Sequence, residues 1–534
     1  MTTRRPTPTS HPARPPRFAP PMRGASFFIG VVAFLVYLSM TPAASGDKDG
    51  SEFTLVLATL GAAHPTGYAL YTIVGHGFVR LAHTLGASWP LAANAFSGLG
   101  GAVAVGLLHS LADWLLRRIG VTARSAALLA SLPAIAFGMN PIWTMETTLA
   151  EVNSWHVAWV MALTLFAATE LAARTQDNAR VHATRTAAIG GLLLGVGLTH
   201  HLTSVWFSIP FGLAVFASLK QRTALTPRAI AAGIGAFALA LSTVGYVFWR
   251  ASHPALMQWP VLGPATAWDH VLGAQYRGYL GHFAPSQVQQ RFLRADVYPW
   301  LVPALLALLA LALRGTSAIP RAWRFAAAAA ALIQTVYVFS YGVPDPSPYF
   351  LPVLALGLAA VPAALAQSMP LLRRHGAWLS GIAAVVLLLT SVTWMRLGRE
   401  RASTYERFDE LVHQMWMSVP FEEGFVIWGD DMVHRLTEYQ LLRGEKPRVI
   451  ALNPAQLTYP GPHDAFIARH GFDPLEDLPP LPPPVDDPST RALYEAIAER
   501  INRASPLPLV VFDPAGRSVR MLRKVAVSDS TTNH

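Results

Sequence analysis

The sequence contains no cysteine, and charged residues are scarce: only 13% of its 534 residues are Asp, Glu, Lys or Arg, whereas 52% are hydrophobic. Without cysteine, no disulfide framework can form. The sequence also shows no repeat of fixed period, which excludes fibrous and collagen-like proteins. Soluble domains carry roughly 25% charged residues, so this chain has too little charge to cover the surface of a cytosolic enzyme. The composition therefore predicts a polytopic membrane protein.

Eleven apolar segments are long enough to cross a bilayer as helices, because about 20 residues span its hydrocarbon core. They lie near residues 26–44, 91–115, 124–142, 153–172, 186–200, 203–219, 229–249, 298–313, 325–343, 349–367 and 377–395. The first 25 residues are rich in proline and arginine and predict a disordered tail. The flank Thr41–Ser45 is also compatible with a signal-peptidase site, so cleavage after the first segment is an alternative.

Basic residues concentrate in every second loop between these segments. Together with the N-terminal tail, five basic loops fall on one side of the membrane; they contain Arg117, Arg118 and Arg124, then Arg174, Arg180 and Arg185, then Lys220, Arg222 and Arg228, then Arg314, Arg321 and Arg324, then Arg373 and Arg374. The positive-inside rule makes that side cytoplasmic. The net charge of +10 is thus interpreted as a topology signal and not as a nucleic-acid footprint. We expect a multi-pass protein of the inner (cytoplasmic) membrane with its N-terminus in the cytoplasm.

The sequence changes character after residue 396, where charge rises and the long apolar runs end. Short apolar runs at 425–428, 449–452 and 509–512 predict buried strands, and stretches near 403–417, 431–443 and 489–503 predict helices. Residues 479–484 predict a stiff, proline-rich connector. We therefore expect a cytoplasmic tail (1–25), a transmembrane domain (26–396) with outer loops 46–90 and 250–297, and a small extracytoplasmic α/β domain (397–534).

The acidic residues of the membrane region favour one side. Of the 31 acidic residues, 11 precede Glu400, and eight of these fall on the outer side: Asp47, Asp49, Glu52, Glu146, Glu151, Asp269, Asp296 and Asp345. The positive-inside rule hardly constrains acids, and a carboxylate at the membrane edge is costly unless it is hydrated or paired. The bias predicts a polar cavity on the outer face. The alternative is that long outer loops collect acids by chance, which we favour for Asp269 and Asp296.

The densest acidic stretch, Gly46-Asp-Lys-Asp-Gly-Ser-Glu-Phe53, directly follows the first apolar segment. Alone, it predicts a solvated loop, or a helix that begins near Ser51 and is capped by Asp49. A turn with one histidine and two tyrosines follows: Leu60-Gly-Ala-Ala-His64-Pro-Thr-Gly-Tyr68-Ala-Leu-Tyr71. A histidine at a membrane interface is more often structural than catalytic, so only the combination of the two stretches indicates chemistry.

This combination resembles the opening motif of a known family, an acidic Asp-x-x-Glu followed by a Gly-x-x-His-Pro-x-Gly-Tyr turn. Here the motif is Asp49-Gly-Ser-Glu52 and Gly61-Ala-Ala-His64-Pro-Thr-Gly-Tyr68. Later blocks are similar too: Trp143 to Glu151-Val-Asn, Gly197-Leu-Thr-His-His201-Leu-Thr, Trp259, Trp268, Gln275-Tyr276, and Trp428-Gly-Asp430 with Pro447-Arg448-Val. The family is that of the protein O-mannosyltransferase-like membrane proteins (domain of unknown function 2723, glycosyltransferase family 117), within the GT-C superfamily.

The resemblance implies a GT-C-like fold and an enzyme that uses a polyprenyl-phosphate-linked sugar as donor on the outer face of the membrane. The sugar would pass to an acceptor hydroxyl, of protein Ser/Thr or of a glycan, by an inverting displacement that needs a single general base. The motif makes Asp49 the expected base, with Glu52 orienting the acceptor or supporting the base. Asp47 is the alternative, because a glycine usually precedes the family's Asp, as Gly46 precedes Asp47 here.

The remaining candidates are assigned to substrate binding. The leaving lipid phosphate needs cationic stabilisation. Arg250 and Arg277 are favoured for this role because they bracket the matched outer loop, and His64 and His201 are further candidates. For the two arginines, contact with lipid headgroups is the alternative. Tyr68 of the motif, Glu146, Glu151 and Asp345 are expected to line the substrate site. No spacing requires a metal, although carboxylates and histidine can bind a divalent cation.

The expected partners are the lipid-linked donor, a protein or glycan acceptor, and membrane lipids. Two other classes of function compete with this hypothesis. A transporter or flippase of a lipid-linked glycan would carry its ligand through a polar cavity, but such proteins usually contain internal repeats with broken helices, which this sequence does not show. A non-catalytic scaffold that binds a partner through the outer domain is the third alternative.

Overall fold

The computed structural model describes residues 23–47, 49–173, 179–222, 225–253, 264–314, 317–368, 370–429, 431–478 and 488–522. Nearly all of the expected tail, the proline-rich connector at 479–484, and the motif residues Trp259 and Asp430 lie outside these ranges.

Helices dominate the described chain up to residue 417. They are α1 (Arg23–Met40), α2 (Gly50–Thr59), α3 (Ala69–Thr84), α4 (Trp89–Arg118), α5 (Ala123–Gly138), α6 (Pro141–Thr148), α7 (Asn153–Ala172), α8 (Ala179–His200), α9 (Val205–Gln221), α10 (Pro227–Leu241), α11 (Gly245–Ser252), α12 (Pro264–Val271), α13 (Gln287–Phe292), α14 (Tyr298–Arg314), α15 (Arg321–Phe339), α16 (Leu351–Ser368) and α17 (Pro370–Met417). The loop expected at 46–90 thus contains two helices, α2 and α3, and the turn expected near 143–152 is largely the short helix α6.

Helices cover all eleven apolar segments predicted from the sequence. Within the described ranges, eight helical segments are long and apolar enough to cross a membrane, and α5 with α6 forms a ninth if this pair, bent by 73°, counts as one span. The first and last predicted spans coincide with α1 and with the N-terminal part of α17. The protein is therefore a multi-pass membrane protein.

The membrane helices pack around α4 and α16, whose most apolar stretches are 72% and 78% buried. Close approach depends on small residues, since helix association within lipid relies on van der Waals packing. At Gly357 on α16, for example, an added Cβ would lie 2.7 Å from the Cα of Ala304 on α14. Even one methyl group there would push the two helices apart.

The C-terminal region forms the expected small α/β domain. Strands β1 (Glu423–Ile427), β2 (Arg448–Leu452), β3 (Leu509–Asp513) and β4 (Ser518–Met521) make one sheet in the order β2-β1-β3-β4, parallel except for the β3–β4 pair. Helices α18 (His434–Arg443), α19 (Pro460–His470) and α20 (Pro488–Ala504) accompany it. The sequence predicted three strands and two of these helices; β4 and α19 are additions. The 48-residue α17 connects this domain to the membrane helices.

Candidate active site

The acidic stretch after α1 folds into a short loop that leads into α2. Asp49 occupies the N-cap position of α2, but its side chain makes no capping hydrogen bond, unlike the capping role considered from the sequence. Instead, its side chain is 41% exposed. Glu52, one turn later on the same helix, is only 4% exposed. The motif thus presents one accessible carboxylate and one buried carboxylate.

The buried carboxylate holds the histidine of the motif. The backbone N–H of His64 donates to Glu52 Oε1 at 2.6 Å, and His64 Nδ1 lies 3.0 Å from Glu52 Oε2. On the other side of the ring, His64 Nε2 lies 3.9 Å from Asp49 Oδ2 and 3.5 Å from the hydroxyl of Tyr68. The arrangement places the imidazole between two carboxylates.

This position controls the protonation of His64. Burial disfavours the imidazolium, but the charges of Glu52 and Asp49 outweigh burial and raise the pKa of His64 to about 9. In return, His64 lowers the pKa of Glu52, although burial acts in the opposite direction. At neutral pH the pair is therefore an imidazolium next to a carboxylate, and both ring nitrogens carry protons.

Side chains on neighbouring helices hold the turn that carries His64 in place. The hydroxyl of Tyr246 on α11 lies 2.7 Å from the carbonyl oxygen of Leu60 and 2.6 Å from that of Gly61. His270 Nε2 lies 2.9 Å from the carbonyl oxygen of Ala63. Gly67 has a φ of +79°, in the left-handed region that favours glycine. These contacts fix the ring of His64 against α2.

A cavity of about 900 Å³ lies above this pair. Nine of the eleven site residues predicted from the sequence line it: Asp49, Glu52, His64, Tyr68, Glu146, Glu151, His201, Arg277 and Asp345. Five of the eight outer acidic residues are among them. Asp269 and Asp296 are not among its lining residues; they lie in helical segments, 264–271 and 293–297, within the outer region that was predicted to be a loop. The structure thus brings together side chains that are up to 296 positions apart in the sequence.

The other acidic residues at the cavity are anchored by short contacts. Glu146 Oε2 accepts a hydrogen bond of 2.8 Å from the Asn153 amide. The backbone of Glu151 is held by Ser97 on α4, whose hydroxyl exchanges hydrogen bonds with its N–H and C=O at 2.9 and 2.8 Å. Asp345 Oδ1 accepts the N–H of Ser347 at 3.0 Å. Glu146 thus projects from α6, whereas Glu151 and Asp345 lie in short connections between helices, where hydrogen bonds hold them in place.

Asp47 and Arg250 do not line the cavity. Asp47 faces α17, where its carboxylate forms a hydrogen bond with Tyr405. Arg250 is buried, stacks on Trp249 with 4.3 Å between its Cζ and the ring centroid, and lies 3.2 Å from the hydroxyl of Tyr246. The structure therefore places Arg250 behind the His64 turn, and Arg277 remains at the cavity.

The C-terminal domain supplies one wall of the cavity, which the sequence did not indicate. Its lining residues there are Asp431, His434, Asn453, Gln456, Tyr459 and Tyr494. His434 Nε2 accepts from the Gln456 amide at 3.0 Å, and burial lowers the pKa of His434. The sequence signal nearest to this wall was the Trp428-Gly-Asp430 block, of which Gly429 also lines the cavity. The C-terminal domain, to which the sequence assigned no role in the site, is thus part of it.

The same domain also forms hydrogen bonds with the acidic loop. Arg435 on α18 is fully buried; its guanidinium donates to the carbonyl oxygens of Ser45 and, at 3.1 Å, of Gly46. It pairs with Asp409 on α17 at 3.2 Å. Glu438, one turn later, accepts a 2.5 Å hydrogen bond from the Ser45 hydroxyl. We call these contacts the α18 clamp; they end three residues before Asp49.

Asp49, Glu52 and His64 offer one ligand atom each within 4.8 Å of one another, so this group could hold a divalent cation. A metal would have to displace the proton that the two carboxylates retain on His64. The same geometry equally suits proton transfer. An accessible carboxylate at a polar cavity, oriented by a buried imidazolium–carboxylate pair, can accept a proton from a bound hydroxyl.

Comparisons with known proteins agree with this picture. Residues 49–225 match the family described as the protein O-mannosyl-transferase TMEM260 N-terminal domain. The protein O-mannosyl-transferase tmem260 of Dictyostelium discoideum is 28% identical over 189 residues, which cover 34% of this chain and 22% of that protein. The match thus spans less than a quarter of the length of this curated relative. It confirms the family resemblance predicted from the motifs.

The first of two similar solved structures shows the fold. ArnT from Cupriavidus metallidurans bound to undecaprenyl phosphate aligns with a TM-score of 0.52 and 14% identity over 84% of this chain and 94% of that chain. The archaeal oligosaccharyltransferase AglB from Archaeoglobus fulgidus, in complex with an inhibitory peptide and a dolichol-phosphate, aligns with a TM-score of 0.47 and 12% identity over 91% of this chain and 69% of that chain. The predicted GT-C-like architecture is confirmed.

Proposed function

We propose that this protein is a membrane glycosyltransferase of the GT-C type that transfers a sugar from a polyprenyl-phosphate donor to an acceptor hydroxyl. The observation that carries the proposal is the convergence of Asp49, Glu52 and His64 at one polar cavity. The relatives support it, because one is named an O-mannosyl-transferase and one solved structure holds undecaprenyl phosphate. A protein acceptor is the favoured one, in keeping with that relative's name.

In the proposed reaction, the acceptor oxygen attacks the anomeric carbon of the donor sugar and its proton passes to the Asp49 carboxylate. The bond between the anomeric carbon and the phosphate oxygen breaks, and polyprenyl phosphate leaves with the electron pair. Glu52 and His64 hold the loop around Asp49 in position. Arg277, which lines the cavity and is exposed, stabilises the departing phosphate. One base is sufficient for inversion.

The first test is Asp49→Asn in purified protein reconstituted with radiolabelled polyprenyl-phosphate sugars (mannose, glucose and arabinose), with label followed into protein and glycan fractions. Loss of general-base assistance is worth about 10²–10⁴-fold in rate, so transfer by Asp49→Asn should fall by that factor. Asp47→Asn is the matched control, because it changes a carboxylate two residues away that faces Tyr405. Equal activity of wild type and Asp49→Asn would refute the assignment of the base, and wild type that transfers none of the sugars would refute the donor class tested.

We further propose that the cavity and the C-terminal domain face the outside of the inner membrane. The support is the distribution of basic loops. Because the natural sequence has no cysteine, any introduced cysteine is the sole labelling site. We expect a membrane-impermeant maleimide to label Asp464→Cys in the C-terminal domain of intact cells, and to label Ala123→Cys, at the exposed start of α5, only after permeabilisation. The reverse pattern would invert the topology.

A further inference from the structure

The aromatic residues that line the cavity are almost all tyrosines. Among the lining residues in the described part of the chain, eight are tyrosines, one is a tryptophan and none is a phenylalanine, although the sequence contains 14, 15 and 25 of these residues, respectively. Filling of an apolar core would use phenylalanine at least as readily as tyrosine. The cavity is therefore lined by aromatic rings that also carry a hydroxyl group. Such a lining suits a ligand that has both apolar and hydrogen-bonding surfaces.

Six of these tyrosines form one surface, which we call the tyrosine wall and define by Tyr68, Tyr276, Tyr279, Tyr341, Tyr349 and Tyr459. The ring of His201 lies between those of Tyr68 and Tyr349, with 6.0 and 6.2 Å between centroids. The rings of Tyr341 and Tyr349 meet edge to face with 5.3 Å between centroids, and Tyr279 meets Tyr341 in the same way at 6.3 Å. The hydroxyl groups of Tyr279 and Tyr459 lie 3.3 Å apart. The wall thus runs from the membrane helices to the C-terminal domain.

The wall lies between the two ends of the proposed reaction. Tyr68 is next to the His64 pair, with its hydroxyl 3.5 Å from Nε2. Tyr276 directly precedes Arg277, the candidate phosphate ligand, and its ring centroid lies 6.4 Å from that of Tyr279. In a direct displacement, the sugar must sit between the base and the phosphate. The tyrosine wall lies between the proposed base and the candidate phosphate ligand.

A hexopyranose has the matching chemistry. Its axial C–H bonds form an apolar face that suits the negative face of an aromatic ring, and its hydroxyl groups can bond to phenols and to the carboxylates of Glu146 and Glu151 at the same cavity. We propose that the tyrosine wall is the binding subsite for the sugar ring of the donor. This inference rests on the proposed function.

The test compares two lipids of one chain length, short-chain polyprenyl-phosphate mannose and the same polyprenyl phosphate without sugar, by calorimetric titration of the detergent-solubilised full chain. Wild type should bind the mannosylated lipid more tightly. Tyr276→Leu and Tyr341→Leu should each weaken binding of that lipid by about three- to tenfold, the equivalent of one aromatic contact. Binding of the sugar-free lipid should not change, which also shows that the variants are folded.

Two further variants make the comparison specific. Tyr276→Phe retains the ring and should keep most of the preference for the mannosylated lipid. Tyr298→Leu removes a tyrosine outside the cavity and should behave as wild type. Equal affinity of wild type for both lipids, or an unchanged preference in both leucine variants, would overturn the inference. Sugar-dependent binding without transfer would instead refute the proposed enzyme activity and leave the wall in place, whereas wild type that binds neither lipid would refute both.

Discussion

The α18 clamp offers the sharpest prediction, because a buried arginine joins the C-terminal domain to the acidic loop. In Arg435→Met, the Ser45 and Gly46 carbonyl groups lose their charged donor, and Asp409, whose side chain is 17% exposed, loses its buried partner. Removing one member of a buried ion pair costs about 3–5 kcal/mol. We therefore expect Arg435→Met to lower the free energy of unfolding by about that amount.

The helix itself provides the matched control. Arg443 contacts the same Asp409 at 3.6 Å, but its side chain is 44% exposed. Exposed pairs contribute about 0–1 kcal/mol, so Arg443→Met should hardly change stability. Thermal unfolding of the purified variants in one detergent measures the difference. A loss in Arg435→Met no larger than that in Arg443→Met would refute the assignment of the clamp.

The clamp should also affect the reaction, since Asp49 follows Gly46 by three residues. A displacement of about 1 Å in a catalytic group can lower a rate about 10²-fold. We expect Arg435→Met to lower kcat by at least about tenfold with a much smaller change in donor KM, and to increase hydrogen exchange in residues 45–52. In Arg435→Met/Asp409→Leu, part of the stability should return because no buried charge remains unpaired, but kcat should stay low. Unchanged kcat in the folded fraction of Arg435→Met would limit the clamp to a structural role.

Two other predictions concern stability. Burial raises the pKa of Glu438 from 4.5 to about 7, so the unfolded chain loses this proton at a lower pH than the folded protein does. The free energy of unfolding should therefore fall as the pH rises from about 4.5 to 7. Glu438→Gln should remove that part of the pH dependence, and an unchanged pH profile of unfolding in this variant would contradict the prediction. Gly357→Val should destabilise the α14–α16 contact by about 1–3 kcal/mol through overpacking. Gly235→Val, at a position with open space, is its control in the same thermal assay and should differ far less from wild type.

Much of the architecture follows from local patterns. An apolar run long enough to span lipid must form a helix because no water can satisfy its backbone, so all eleven segments could be located without tertiary information. Short apolar runs separated by helical stretches likewise predicted β1, β2 and β3. The acidic residues were informative for the same reason: a carboxylate in an otherwise apolar region needs a polar surrounding, and five of the eight outer acids do share one cavity.

The choice between neighbouring candidates depended on the fold. Asp47 and Asp49 look alike in sequence, but α2 begins at Gly50, and the chain entering it directs Asp49 to the cavity and Asp47 to α17. Similarly, only packing shows that Arg250 stacks behind the His64 turn while Arg277 reaches the cavity.

The sequence by itself determined where the apolar helical segments lie, the α/β character of the C-terminal domain and the acidic motif, because each depends on residues that are close along the chain. Tertiary structure alone decided which carboxylate is accessible, that His64 lies between two carboxylates, and that the C-terminal domain both lines the cavity and clamps the acidic loop. The contact between Arg435 and Ser45 joins residues 390 positions apart. No local pattern encodes such a contact, because it arises only when a loop and a helix that are separated in sequence by the whole membrane domain pack together.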